Sequence, residues 1–195
     1  MTPGRPREFD RDAALKRAVE LFWADGYEGT QVEDLADAMR IGRGSMYAAF
    51  TDKRSLYLEA LTRFVDEAEG WLRRALLDPA QSPLANLRMY IDRWPQFARD
   101  PRKRGCMISN ALIELAPKDE DVSAIVTRAL RGEEMILRGI LSEAQERGEL
   151  AREKDAAMIA RALVNARLGV TLLARLGTLD ASARAAADAA LAMLD

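Results

Sequence analysis

Apolar residues recur at three- and four-residue spacing along almost the whole chain, and nowhere is an alternation of period two sustained. β-Branched residues are also sparse. Helices are therefore the only regular element the sequence supports, and the expected fold is all-α with about nine of them. A first helix runs from an Asp10 N-cap to about Ala24, with Ala14, Leu15, Ala18, Leu21 and Phe22 inward and Gly26 at its end. Thr30-Gln31-Val32-Glu33 has the form of a capping box for a short second helix ending near Met39. A third spans about Arg43 to Phe50, and Thr51-Asp52 caps a long fourth from Lys53 to about Leu77. After the loop Asp78 to Pro83, a fifth begins at Ser82-Pro83; Pro95 kinks or breaks it and Asp100-Pro101 closes it. The sixth covers about Cys106 to Leu115, the seventh about Asp119 to Arg147, the eighth about Asp155 to Leu176, and an Ala-rich ninth follows Asp180.

Composition removes several classes of function. The 195 residues contain no histidine and one cysteine, Cys106. Ser-His-Asp and Cys-His chemistry, His-ligated metals, multi-cysteine zinc sites and an intramolecular disulfide are all excluded. No phosphate-cradling glycine loop or paired-carboxylate signature stands out. The expectation is a chain that is not an enzyme, with no catalytic residue, metal or cofactor. No apolar signal core follows Met1, and no apolar run approaches the ~20 residues of a membrane span, so no membrane partner and a cytoplasmic location are expected. With a net charge of −2, any nucleic-acid contact must rest on locally placed basic groups.

The two short helices at 31–39 and 43–50, joined by Arg40-Ile41-Gly42, have the size of a helix-turn-helix, with the first helix packed across them. Ile41, Met46 and Phe50 supply the inward face. Arg43, Gly44, Ser45, Tyr47 and Ala48 are left outward, near the helix N-terminus where such modules meet base edges. Arg43 suits a guanine edge or a phosphate, while Ser45 and Tyr47 suit bases or backbone. Gly44 and Ala48 let the helix sit close in the groove. Lys53 opens the fourth helix, where the N-terminal N–H groups already favour a phosphate. In the arm Gly4-Arg5-Pro6-Arg7, Arg5 and Arg7 suit a narrow minor groove; a solvated arm is the alternative.

Over residues 8–60 these features resemble the TetR/AcrR family of bacterial regulators. The most specific string is Gly44-Ser45-Met46-Tyr47-Ala48-Ala49-Phe50-Thr51-Asp52-Lys53, supported by Ala18-Val19-Glu20-Leu21-Phe22, Gly26-Tyr27-Glu28-Gly29-Thr30 and Val32-Glu33-Asp34-Leu35-Ala36. The resemblance implies a homodimer on a pseudopalindromic double-stranded DNA operator, usually a repressor, released by a small molecule. It also implies that Thr30, Arg43, Ser45, Tyr47 and Lys53 sit where family members touch DNA; Gln31, beside Thr30, joins that candidate set. The chain departs from the family at Arg40, where glycine is favoured, at Gly42, where a serine N-cap is favoured, and at Ala49, where histidine is favoured. The expected division is a DNA-binding domain at 8–54 behind an arm at 1–7, then an effector-binding and dimerisation domain at 55–195.

In the C-terminal part the eighth helix is apolar almost all round, and the ninth carries Ala183, Ala186, Ala187, Ala190, Leu191 and Leu194. Two such helices from each of two chains suit a four-helix dimer interface; completion of the monomer core is the alternative. Met89, Trp94, Phe97, Cys106, Met107, Asn110, Glu114 and Met135 form a candidate effector pocket, with Arg167 as a counter-charge to Glu114. Cys106 follows Arg102-Lys103-Arg104-Gly105 and opens a helix, the electropositive kind of setting in which reactive thiols occur. It reads either as an electrophile- or oxidant-responsive thiol or as an inert core cysteine. The string Arg104 to Asn110 resembles a motif of some TetR-type regulators, including members that respond to reactive electrophiles. An all-α enzyme and a non-regulatory architectural DNA binder remain the alternative functions.

Overall fold

A computed structural model describes residues 9–97, 99, 104–177 and 180–195, and all regular structure among them is helical. The helices are α1 (Arg11–Asp25), α2 (Val32–Met39), α3 (Arg43–Phe50), α4 (Lys53–Leu76), α5 (Pro83–Asp92), α6 (Met107–Glu114), α7 (Glu120–Glu146), α8 (Ala156–Leu173) and α9 (Asp180–Ala192). A single further turn, Trp94–Phe97, follows α5. Pro95 sits inside that turn, after the break at Arg93, because it cannot donate the hydrogen bond that would continue α5.

Local chemistry sets the ends. Asp10, Asp52, Ser82, Asp119 and Asp155 each accept a backbone N–H of the first turn they cap. The box opening α2 lies one residue later than Thr30 suggests: Gln31 is the N-cap, and its N–H donates to Asp34 at 3.2 Å. Thr30 is unavailable because its hydroxyl donates to the Gly26 carbonyl at 2.6 Å and is buried.

Two apolar cores form. The first joins α1, α2 and α3 to the first half of α4, through Leu56, Tyr57, Leu61 and Val65. It is completed by Met107, Ile108 and Ala111 of α6 and by Val122 and Val126 of α7. The second joins Leu72 and Leu76 at the far end of α4 to α5, the rest of α7, α8 and α9. Helices α4 and α7 therefore run through both cores, so a shift along either is felt in each. Among the described residues α8 is the one helix long and apolar enough to cross a membrane by length and composition. It instead buries Ile159, Ala160, Leu163, Val164 and Val170 in the second core.

Candidate DNA-reading surface and ligand cavity

The turn between α2 and α3 is tight. Arg40 takes the left-handed conformation, with φ 58 and ψ 40, and the Ile41 N–H returns to the Ala36 carbonyl at 3.1 Å. Met46 and Phe50 of α3 are buried against the α1 and α2 core. The opposite face is open: Arg43, Gly44, Ser45 and Ala48 are exposed, as is Gln31 at the start of α2, and Tyr47 keeps 45% of its surface. A Cβ added at Gly44 would meet nothing within 4 Å. The Arg43 guanidinium lies 2.6 Å from Glu33 of α2. Both groups are mostly solvated, so the pair aims the guanidinium more than it stabilises the fold. The Lys53 ammonium rests 4.2 Å over the Tyr27 ring. Arg5 and Arg7 lie outside the described residues, as do Arg102 and Lys103. Thr30 is a correction: with its hydroxyl buried on the Gly26 carbonyl, its side chain is not part of this face.

At the far end of α3, Thr51 has φ 69 and ψ −63, and the Asp52 N–H donates to the Phe50 carbonyl at 2.8 Å. This γ-turn is a strained link that sets the angle between α3 and α4. Asp52 then caps α4, and the Ser55 N–H holds its carboxyl below the usual range.

Contacts at three places among the described residues hold this surface to the rest of the chain, at Trp23, at the α1–α2 loop and at Arg54. The Trp23 indole of α1 donates to the Gly105 carbonyl at 3.0 Å, and the Arg104 guanidinium stacks 3.8 Å over the same ring. Glu114, the last residue of α6, accepts the Tyr27 and Glu28 N–H groups at 3.1 and 2.8 Å, clasping the α1–α2 loop. Gly26 is required beside it, because φ is 77 and a Cβ would stand 2.8 Å from a Glu114 oxygen. Arg54 of α4 bridges Asp119 and Asp121 at the start of α7, at 2.8 and 2.7 Å. That guanidinium keeps the Asp119 carboxyl below its ordinary value.

Above these ties lies a cavity of about 410 Å³. Trp23 reaches it from α1, Phe64 and Trp71 from α4, Tyr90 from α5, and Phe97 from the turn that follows. Arg104 and Cys106 border it ahead of α6, with Glu133 of α7 and Arg167 and Thr171 of α8. Arg167 and Glu133 are nearly sealed, with side chains 9% and 11% exposed, and are joined by two bonds of 2.5 Å. Burial opposes the Arg167 charge, but the adjoining Glu133 carboxylate outweighs it and the guanidinium stays ionised. Burial and Glu133 both push the Tyr90 hydroxyl upward, and that hydroxyl donates to Glu133 at 3.2 Å.

Of the candidate pocket residues, Phe97, Cys106 and Arg167 line this cavity. The other six lie elsewhere. Met89 and Met135 face solvent, Trp94 is sealed in the second core and Met107 in the first. Asn110 donates to the Arg104 carbonyl and so braces the loop before α6. Glu114 is spent on the α1–α2 loop, so the counter-charge of Arg167 is Glu133 instead. Trp23, Trp71 and Glu133 were not singled out in the sequence. Arg167, a cation on the buried face of an apolar helix, is the signal that some buried carboxylate has to exist.

Comparison with known proteins bears on both halves. Residues 14–60 match the family described as bacterial regulatory proteins, tetR family, and residues 83–190 match the tetracyclin repressor-like C-terminal domain. The HTH-type transcriptional repressor ComR of Escherichia coli (strain K12) is 31% identical over 175 residues, covering 89% of this chain and 83% of ComR. The chain belongs to the TetR family. Another TetR relative, the uncharacterized HTH-type transcriptional regulator YezE of Bacillus subtilis (strain 168), is 33% identical, covering 88% of this chain and 89% of its own. Among solved structures, a cysteine mutant of the TetR family regulator CifR superposes with a TM-score of 0.84 at 27% identity. The match covers 98% of this chain and 100% of CifR, which is complexed there with a 26 bp double-strand operator DNA.

Membership makes this chain a DNA-binding transcriptional regulator, and the reading surface carries its departures from the TetR pattern locally. Arg40 adopts the left-handed cap that glycine would take. Gly42 leaves α3 with no side-chain cap. Ala49 is half-buried, and its carbonyl accepts from Arg11 at 3.3 Å, which anchors α3 to α1. The gap between the two matched spans falls on the second part of α4, one of the two helices shared by both cores.

Proposed function

We propose that this regulator is a homodimeric repressor that holds a pseudopalindromic operator with α3 and releases it when a small molecule occupies the aromatic cavity. The observation that carries the reading is Trp23: one side chain of the DNA-reading half forms part of the cavity wall. A ligand that changes the wall must act on α1, against which α2 and α3 are packed. Arg43, Gly44, Ser45, Tyr47 and Ala48 would meet the major groove, with Gln31 and Lys53 on flanking backbone and the arm residues Arg5 and Arg7 along the adjoining minor groove. The likeness to CifR, which is complexed with operator DNA, supports double-stranded operator DNA as the partner. A repressor works where the DNA is, in the cytoplasm.

The second subunit is proposed to cover α8 and α9. Met158, Leu172, Leu173 and Leu176 leave large apolar surface exposed on or just after α8, a pattern that favours association. Cys106 on the cavity wall supports an electrophile as a second class of releasing signal, read by its thiol.

The test is operator selection from random DNA, followed by retention assays with Tyr47→Ala. The variant should keep the wild-type melting curve and the dimer mass by light scattering, yet lose at least ~10-fold in operator affinity, about 1.4 kcal/mol. Undiminished retention, or a wild-type protein that scatters as a strict monomer at micromolar concentration, ends the proposal. A Cys106→Ser variant as sensitive to electrophiles as wild type removes the thiol part alone.

A further inference from the structure

The cavity combines many aromatic rings with paired charges among its described lining residues. Trp23 packs edge-to-face on Phe64, with centroids 5.1 Å apart, and Trp71 meets Tyr90 and Phe97 at 6.1 and 6.2 Å. Such tilted contacts leave ring faces and edges on the wall for a further flat ring. Every charged side chain among the described lining residues already has an opposite charge. Arg167 holds Glu133 at 2.5 Å, Arg104 holds Glu20 at 2.8 Å, and Glu69 is held by Arg73 at 2.8 Å. An anionic ligand would leave water for a wall whose described cations, Arg104 and Arg167, are already paired, which is unfavourable. An uncharged ring system loses little solvation and gains contact with five aromatic side chains.

We infer that the ligand of this cavity is a planar aromatic molecule without an anionic group, and that Glu133 excludes carboxylates by occupying Arg167. The inference rests on the proposed effector site for its regulatory meaning, but not for its binding chemistry. Glu133 is a specificity-determining residue in this scheme. Its carboxylate takes the two donor positions of a guanidinium that would otherwise fit a ligand carboxylate bidentately. Removing the charge at Glu133 therefore has a directional consequence: the pocket changes which ions it accepts.

Three probes of one skeleton separate the contributions. 1-Naphthol is flat and neutral at pH 7, 1-naphthoate is flat and anionic, and decahydro-1-naphthol is neutral but saturated. Calorimetry on the intact protein should show naphthol binding at least ~10-fold tighter than either of the others. Glu133→Gln should reverse the order of naphthol and naphthoate, because Arg167 is then left without its carboxylate. Naphthoate binding as tightly as naphthol to wild type, an unreversed order in a folded Glu133→Gln protein, or no heat from any probe overturns the inference. If Glu133→Gln does not fold by circular dichroism, the double variant Glu133→Leu, Arg167→Met removes both charges and leaves neither ion unpaired, although the Tyr90 hydroxyl loses its acceptor. It should bind naphthol and still refuse naphthoate, and acceptance of naphthoate there also overturns the inference. Operator retention measured alongside keeps the two readings apart. Naphthol that binds without releasing DNA supports the ligand class and sinks the effector reading.

Discussion

Arg40 closes α2 in the left-handed region, where a residue with a Cβ is disfavoured by about 1–2 kcal/mol. Glycine there would relieve that cost and give back part of it in unfolded-chain entropy. Arg40→Gly should raise stability by up to about 1 kcal/mol, seen as a higher urea midpoint with an unchanged slope. A lower midpoint would mean that the Arg40 side chain makes a compensating contact. At this scale the sequence was informative where one residue answers to its neighbours. Met46 and Phe50 one turn apart, Asp52 before α4 and Pro83 after Ser82 all sit as their spacing requires. It was uninformative where a side chain answers to a distant partner. Nothing near Glu114 in the chain indicates that its oxygens reach back 86 and 87 residues to two backbone N–H groups. Thr30 likewise has a surface-seeking side chain whose hydroxyl found an internal carbonyl first.

Helix α6 is the short element whose two ends have different duties. Its N-terminal neighbour Cys106 borders the cavity, and its last residue, Glu114, clasps the α1–α2 loop. A carboxylate can accept both N–H groups, whereas an amide accepts with one oxygen and turns an NH₂ toward the other donor. Glu114→Gln should therefore cost about 1–2 kcal/mol of stability and speed hydrogen exchange at the Tyr27 and Glu28 amides more than in α8. Uniform exchange across the chain would show that the clasp does not govern this loop. The helices themselves were legible because each carries its own period and caps. The cavity was not, since its wall is assembled from α1, α4, α5, α7 and α8, and helical periodicity is silent on which faces converge. Hence Met89 and Met135, on the right helices, point to solvent, while Trp23 and Trp71 reach the wall.

The whole molecule has no clean seam between its halves. The first core is finished by Met107, Ala111 and Leu115 from and just after α6, and by Val122 and Val126 from α7, all far from α1 to α3 in sequence. A fragment of residues 1–60 would expose that apolar surface at a length where cores are already marginal. Expressed alone, it should lack a cooperative thermal transition and bind a hydrophobic dye; a sharp, reversible melt would show that the reading unit is self-sufficient. The helix-turn-helix was legible as a local pattern, but its dependence on residues some sixty to a hundred positions away was not, because burial is settled only when the chain has closed on itself.

Trp23 has a consequence for how such a regulator can diverge. Because one indole both packs on the first core and faces the chamber, a change that refits the chamber at that point also disturbs the packing of α1, against which the proposed reading helices lie. If the chamber is the effector site proposed above, new effectors are more readily acquired through Phe97 or Tyr90, which line it from the second core, than through α1. Lineages that do alter Trp23 should carry a matching change in the loop holding Gly105.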